Sequence, residues 1–210
     1  MPTSPGGPLI QALQALWARI QTAMPDLPPV RIAIASTLSP PGHGPERWTK
    51  EEDGTVTGLY ITPSTLREGA DAVVSEVLHH AAHLLSWLRD TPDTHSRGHY
   101  HTKRFVDAAQ DVGLVWPADK LRDKRTGYAD VELAPETHER YKRDAKTLAD
   151  IIPGVLPFLE TPSTGQSSRQ NRVTLRCRCV PKPRSFQMHA NVAAQGPIVC
   201  TVCGSEFTTD

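Results

Sequence analysis

The sequence has no net charge, 23 basic residues balancing 23 acidic ones, so no global field draws it toward nucleic acid or a membrane surface. It has no apolar run approaching the ~20 residues that span a bilayer, which argues against a membrane protein. No basic stretch opens the chain at Met1-Pro2-Thr3-Ser4-Pro5-Gly6-Gly7, so a secretory leader is not expected and the chain reads as cytoplasmic. No internal repeat of useful length is present. Apolar residues make up only 38% of the 210, while prolines number 19, which predicts a modest core with Pro-rich connections. The length suits one ordinary domain plus a small module. Cysteines are few, four in all, and in a reducing compartment clustered thiols read as metal ligands rather than disulfides.

Against that background the periodic segments stand out. Leu9, Leu13, Leu16, Trp17 and Ile20 recur at helical spacing, so residues 1–27 read as a tail and an amphipathic helix closed by Pro25, Pro28 and Pro29. Val30, Ile32 and Ile34 alternate as on a strand, and Asp53-Gly54 before Thr55–Ile61 suggests a hairpin. Residues 28–130 form the central domain in this reading. Pro135 to Ile152 reads as a third helix, ended by Pro153 and Pro157, within a helical extension over 131–160. Residues 161–171, rich in Ser, Thr, Gln and Gly, read as a linker, and 172–210 as a separate module. The fold class expected is α+β.

The central helix is predicted from about Gly69 to Arg89, and it carries Val77-Leu78-His79-His80-Ala81-Ala82-His83-Leu84-Leu85. His79 and His83 lie four residues apart, hence on one helix face, where two imidazoles can hold one metal ion. This is the spacing of the H-E-x-x-H zinc motif, with His80 in the place of the general-base Glu. A catalytic zinc needs a third protein ligand and an open fourth position. The polar loop after the helix offers His101, His99 and His95. His101 is the first choice because it immediately precedes the basic helix start Thr102-Lys103-Arg104-Phe105. A second constellation, Cys177-x-Cys179 with Cys200-x-x-Cys203, pairs four thiolates as in a closed structural zinc site. A module this small needs such a metal staple.

These residues carry a resemblance. Ser75-Glu76-Val77-Leu78-His79-His80-Ala81-Ala82-His83, followed by Asp93-Thr94-His95-Ser96-Arg97-Gly98-His99-Tyr100-His101-Thr102-Lys103-Arg104-Phe105, is similar to the SprT-like family of actinobacterial and phage type. There the text reads H-E-A-A-H and then D-T-S-R-G-x-x-Y-H-N-K-R-F. The strand at Leu59-Tyr60-Ile61 and Gly127-Tyr128 also fit. The resemblance implies a small zincin-like domain over 28–130, with His79, His83 and His101 as zinc ligands. It implies a C-terminal zinc ribbon over 172–210 held by Cys177, Cys179, Cys200 and Cys203. It also implies metallopeptidase activity, in some members on proteins crosslinked to DNA. The departure is His80, since the family has Glu there as general base. Imidazole can accept a proton, yet beside a dication it brings no negative charge to stabilise a nascent ammonium. The expectation is a zinc-binding site that is altered or inactive as a peptidase. Glu76, one turn earlier, reads as a partner of the site or a surface residue rather than a substitute base. Protein is the expected substrate or partner, with DNA as a further one. Arg172, Arg176, Arg178, Lys182 and Arg184 give the ribbon a local basic excess suited to phosphate contact. The oligomeric state is not legible.

Overall fold

The computed structural model describes residues 6–35, 44–96, 98–159 and 172–209. They fall into two compact units, Met1–Glu160 and Thr161–Asp210, both containing helix and strand. The predicted linker, 161–171, lies outside the described residues.

The first unit is built around one helix. In chain order it comprises α1 (Gly7–Ala23), β1 (Val30–Ile34), a 3₁₀ turn (Pro45–Arg47), β2 (Thr49–Lys50) and β3 (Val56–Ile61). Then come α2 (Pro63–Glu68), α3 (Ala70–Leu88), β4 (Thr94–His95), β5 (Tyr100–His101) and α4 (Lys103–Asp111). It ends with β6 (Leu114–Val115), β7 (Glu132–Leu133) and α5 (Pro135–Leu159). The main sheet has the order β1-β3-β2, with β1 parallel to β3 and β2 antiparallel to it. Thr62 starts α2 by accepting a hydrogen bond from the Thr65 amide (3.1 Å), and Pro63 fits the first turn, where no intrahelical donor is needed.

Helix α3 is buried on nearly all sides. Val73, Val74, Val77, Leu78, Ala81, Ala82, Leu84 and Leu85 are all core residues, as expected of a helix that is apolar around its circumference. Leu9, Leu13, Leu16, Trp17 and Ile20 of α1 join the same core, as do Tyr141, Leu148, Ile152 and Val155 of α5. The segments 1–27, 28–130 and 131–160 therefore share one hydrophobic core. Helix α5 also overturns one expectation, because it runs through Pro153 and Pro157 to Leu159. An internal proline costs roughly 3 kcal/mol. The burial of Ile152 and Val155 on either side of Pro153 offsets that cost.

Two glycines are obligatory. Gly58, at φ +122, lies where the β1–β3 register shifts, and a Cβ there would strike the Arg47 carbonyl and the Trp48 ring. Gly127, at φ +69, pairs with His101, and a Cβ there would strike the His101 carbonyl. Both glycines lie beside residues of the histidine site.

The second unit is a three-stranded antiparallel sheet of order β10-β8-β9, with β8 (Arg172–Arg176), β9 (Ser185–His189), the short α6 (Ala190–Ala193) and β10 (Thr208–Thr209). Its register pairs Val173 with Met188 and Leu175 with Phe186 on one face. Arg172, Thr174 and Arg176 alternate onto the other. No described helix is long and apolar enough to cross a membrane.

Candidate metal centres

The histidine site is assembled from α3 and the β4–β5 hairpin. His79 and His83 project from adjacent turns of α3, and His101 comes from β5. Their three Nε2 atoms form a triangle with every side 3.1 Å. Two nitrogens each ~2.0–2.1 Å from a tetrahedral ion would stand ~3.3 Å apart, so the triangle matches a three-histidine ligand set with its fourth position left for another ligand. His83 Nδ1 donates to Asp93 Oδ2 at 2.7 Å, which leaves the lone pair of neutral His83 on Nε2, pointing into the triangle. A carboxylate behind a ligating imidazole is the usual way to fix its tautomer and orientation. Lone pairs converging at this distance repel one another unless a cation sits between them. The donor set therefore fits a metal ion.

The surroundings keep the imidazoles in the ligating form. Burial pushes His79 and His83 well below the ordinary histidine value, and neighbouring histidines add to the effect. Burial also lowers His101, while Asp93 and the Thr126 backbone oppose it. Burial raises Asp93 to about 6, against opposing help from Ser86 and His101. Beneath the triangle lies Phe105 of α4, fully buried, with its ring centroid 4.7, 4.6 and 4.6 Å from those of His79, His83 and His101. It stacks on His83 at 27° and forms an apolar wall shared by all three ligands.

His101 is tied to the chain beyond it as well. Its amide donates to the Thr126 carbonyl at 3.0 Å, and its carbonyl accepts from the Tyr128 amide at 3.1 Å. The two competing histidines are elsewhere. His95 is exposed, hydrogen-bonds Ser96 and stacks on Tyr100 at 4.2 Å, and His99 is exposed.

His80 is not in the converging group. It is buried, and its Nε2 lies 2.9 Å from the Tyr60 carbonyl and 3.1 Å from Glu76 Oε1. Both neighbours only accept, so Nε2 carries the proton and Nδ1 the lone pair. The Arg47 guanidinium approaches the same nitrogen at 3.3 Å, donor against donor, with the charge of Glu76 close by to compensate. Arg47 is itself buried, donates through Nε to the Gly58 carbonyl, and lies over the rings of Trp48 and Tyr60 at 5.5 and 5.1 Å. Burial lowers Arg47 to about 10. Burial alone would raise Glu76, but His80, His79 and Arg47 outweigh it and hold that carboxyl down at about 2. The residue after His79 is thus an imidazole bonded to strand β3, with one carboxylate and one guanidinium beside it.

No family model, curated protein or solved structure matches the chain. The chemistry of its sites therefore rests on the residues themselves.

The cysteine site is equally compact. The four Sγ atoms of Cys177, Cys179, Cys200 and Cys203 lie within 4.8 Å of one another, and all four thiols are free of disulfides. Cys179 and Cys200 are 3.8 Å apart, close to the ~3.8 Å spacing of two thiolates each ~2.3 Å from a tetrahedral zinc. Gly204, at φ +68, turns the chain so that its amide reaches the Cys200 carbonyl at 2.8 Å. Hydrogen bonds from Ser205 and its neighbours lower Cys203 to about 6, favouring a thiolate, whereas its fellow thiols raise Cys179 to about 12. Such a set holds a metal in a closed, structural way.

Of the basic residues marked in this unit, Arg172 and Arg176 share one face of β8. Arg178, Lys182 and Arg184 lie outside the strands, in the segment between β8 and β9, and the Arg184 amide bonds Cys177 Sγ at 3.3 Å. Sequence reasoning singled out the seven side chains that the structure gathers into two groups able to hold a metal. It missed the parts that Asp93, Phe105 and Arg47 play. Asp93 and Phe105 were legible only as the two ends of the loop motif, with no role attached to either. Arg47 gave no signal, because nothing in the sequence brings it to His80.

Proposed function

We propose that this chain is a zinc protein of SprT-like, zincin-type build, whose three-histidine centre has the ligand set of a metallopeptidase but is silent in peptide hydrolysis. The observation that carries the reading is the Nε2 triangle of His79, His83 and His101, 3.1 Å on each side and braced by Asp93. Zinc bound there would supply Lewis acidity and lower the pKa of water. The chain's own residues hold and orient the three imidazoles, and Phe105 keeps water from one side of them. What they do not supply is a carboxylate on the residue that follows His79, and the Glu76 carboxylate one turn earlier is engaged by His80. His80 donates its Nε2 proton to the Tyr60 carbonyl and Glu76. The centre would then serve to engage a polypeptide rather than to cut it. The cysteine unit would be a zinc ribbon, presenting Arg172 and Arg176 toward a phosphate backbone such as that of DNA.

A second reading is residual peptidase activity with His80 as base. It is favoured by one contact, Glu76 Oε1 at 3.1 Å from His80 Nε2, which leaves Nδ1 as the acceptor of a carboxylate-backed imidazole.

One set of measurements tests both. Metal analysis of the purified chain is expected to give two zinc ions, with His83→Ala and Cys200→Ser each losing one. Protease assays on unfolded protein substrates, with and without DNA, are expected to show no turnover by the natural chain and turnover by His80→Glu. Fewer than two metals removes a site from the proposal. Turnover by the natural chain that is lost in Glu76→Gln establishes the second reading instead.

A further inference from the structure

Beside the histidine centre lies a cavity of about 150 Å³ that reaches His83 itself. A cavity of that size holds one benzene-sized molecule. Its walls include the indoles of Trp48 and Trp87 and the rings of Pro45 and Pro92, and its polar lining includes Asp90 and Asp93. Among the described residues that line it there is no lysine or arginine. Two basic side chains adjoin lining residues in sequence: Arg89 is turned to Asp111 on α4 at 2.5 Å, and Arg47 lies over the Trp48 ring at 5.5 Å and donates to the Gly58 carbonyl.

The negative charge here has a second source. The cavity is built on the C-terminal turn of α3, whose carbonyl ends carry the negative pole of the helix. The last turn of α3 has no basic residue of its own to balance that pole. The chain then turns sharply, Asp90 at φ 50 with its amide on the Trp87 carbonyl (3.1 Å) and the Thr91 amide on the Ser86 carbonyl (2.9 Å). This turn places Asp90 and Asp93 on the same cavity.

We propose that this cavity binds a protonated primary alkylamine. Its methylenes pack against the indole and proline walls, and its ammonium is held by Asp90 and Asp93 at the negative pole of α3. The indole of Trp87 attracts a cation through its quadrupole, and a carboxylate–ammonium hydrogen bond adds directionality. The two natural sources of this chemistry are a lysine side chain of a polypeptide and a free polyamine. Only the lysine source rests on the polypeptide-engaging reading above. Amine binding itself stands whether or not the centre cuts peptides.

The test is calorimetric titration of the full, metal-loaded chain with n-butylammonium and with the isosteric neutral 1-butanol. Butylammonium is expected to bind about tenfold tighter, the effect of one charge-assisted hydrogen bond. That preference should vanish in Asp90→Asn, with the metal content of the variant unchanged. Trp87→Leu should weaken both ligands and serves as the second variant should Asp90→Asn fail to fold. Equal binding of amine and alcohol overturns the proposal, as does a preference that survives Asp90→Asn. Nα-acetyl-lysine methylamide and putrescine then separate the sources. Tighter binding of the former marks a polypeptide side chain, tighter binding of the latter a free polyamine, and failure of both overturns the site.

Discussion

The Nε2 atom of His80 lies 2.9 Å from the carbonyl oxygen of Tyr60, so the side chain that follows His79 is hydrogen-bonded to the central strand of the sheet. This contact fixes the imidazole proton on Nε2 and takes that atom out of reach as a base. Restoring a carboxylate is the direct test. His80→Glu is expected to raise peptide hydrolysis by ~10²–10⁴-fold over the natural chain, the usual contribution of a positioned general base. Arg47, already buried beside this position, supplies a counter-charge for the new carboxylate. An unchanged rate in a folded, metal-loaded variant would count against a metallopeptidase-type centre.

Asp93 is expected to act on the metal through His83. Asp93→Asn keeps the size of the side chain but removes the charge that fixes the Nδ1–H tautomer. Metal affinity at the histidine site should fall ~10–100-fold, measured by competition with a chelator, while the cysteine site keeps its metal. Equal loss at both sites would point to general unfolding.

Phe105 supports all three ligands at once. Phe105→Ala is expected to destabilise the first unit by ~3–5 kcal/mol in denaturant unfolding, as for other buried aromatics cut to alanine. Phe105→Leu, which refills most of the space, should recover much of the stability. If the wall also orders the ligands, the leucine variant will still bind metal more weakly than the natural chain.

Gly127 controls the far side of His101. With φ at +69 and the His101 carbonyl in the path of any Cβ, Gly127→Ala should push the β5 strand out of position. The expected signature is a lower metal affinity at the histidine site together with lost amide protection at His101 and Tyr128 in hydrogen exchange. Full protection at both amides would show that the pairing tolerates the methyl group.

Metal removal should separate the two units. Chelation is expected to unfold 172–209, whose cluster of four cysteines takes the place of a large core, while the helices of the first unit persist. Limited proteolysis reads this as rapid cleavage confined to the C-terminal unit. Acid acts on the first unit instead. Burial holds His79 and His83 well below 6.5, so below that pH the unfolded chain binds more protons than the folded one. Stability is therefore full above pH 6.5 and declines as the pH falls toward the folded values. The melting temperature of the chelated protein should drop on acidification from pH 7.

Much of this was legible in the chain. The i, i+4 histidines, the two cysteine pairs and the apolar periodicities of α1, α3 and α5 are local patterns, and local patterns survive in a sequence. Helix α5 was read too short because proline is a local signal against helix, whereas the packing of Val155 that carries the helix past Pro153 is long-range. Segments 1–27 and 131–160 were likewise read as flanking parts, since amphipathicity shows that a helix has an apolar face without showing which helix that face meets.

The sequence by itself determined which side chains can ligate a metal and that an imidazole, His80, follows the first of the paired histidines, because ligand chemistry and helical spacing are properties of residue type and order. Only the tertiary structure decided that His101, rather than His95 or His99, closes the triangle. It also placed Asp93 behind His83, set Phe105 beneath all three imidazoles and surrounded His80 with Tyr60, Glu76 and Arg47. Those relationships join residues from 4 to 33 positions apart in the chain, from different elements in all but one case, and only packing against a shared core sets their distances.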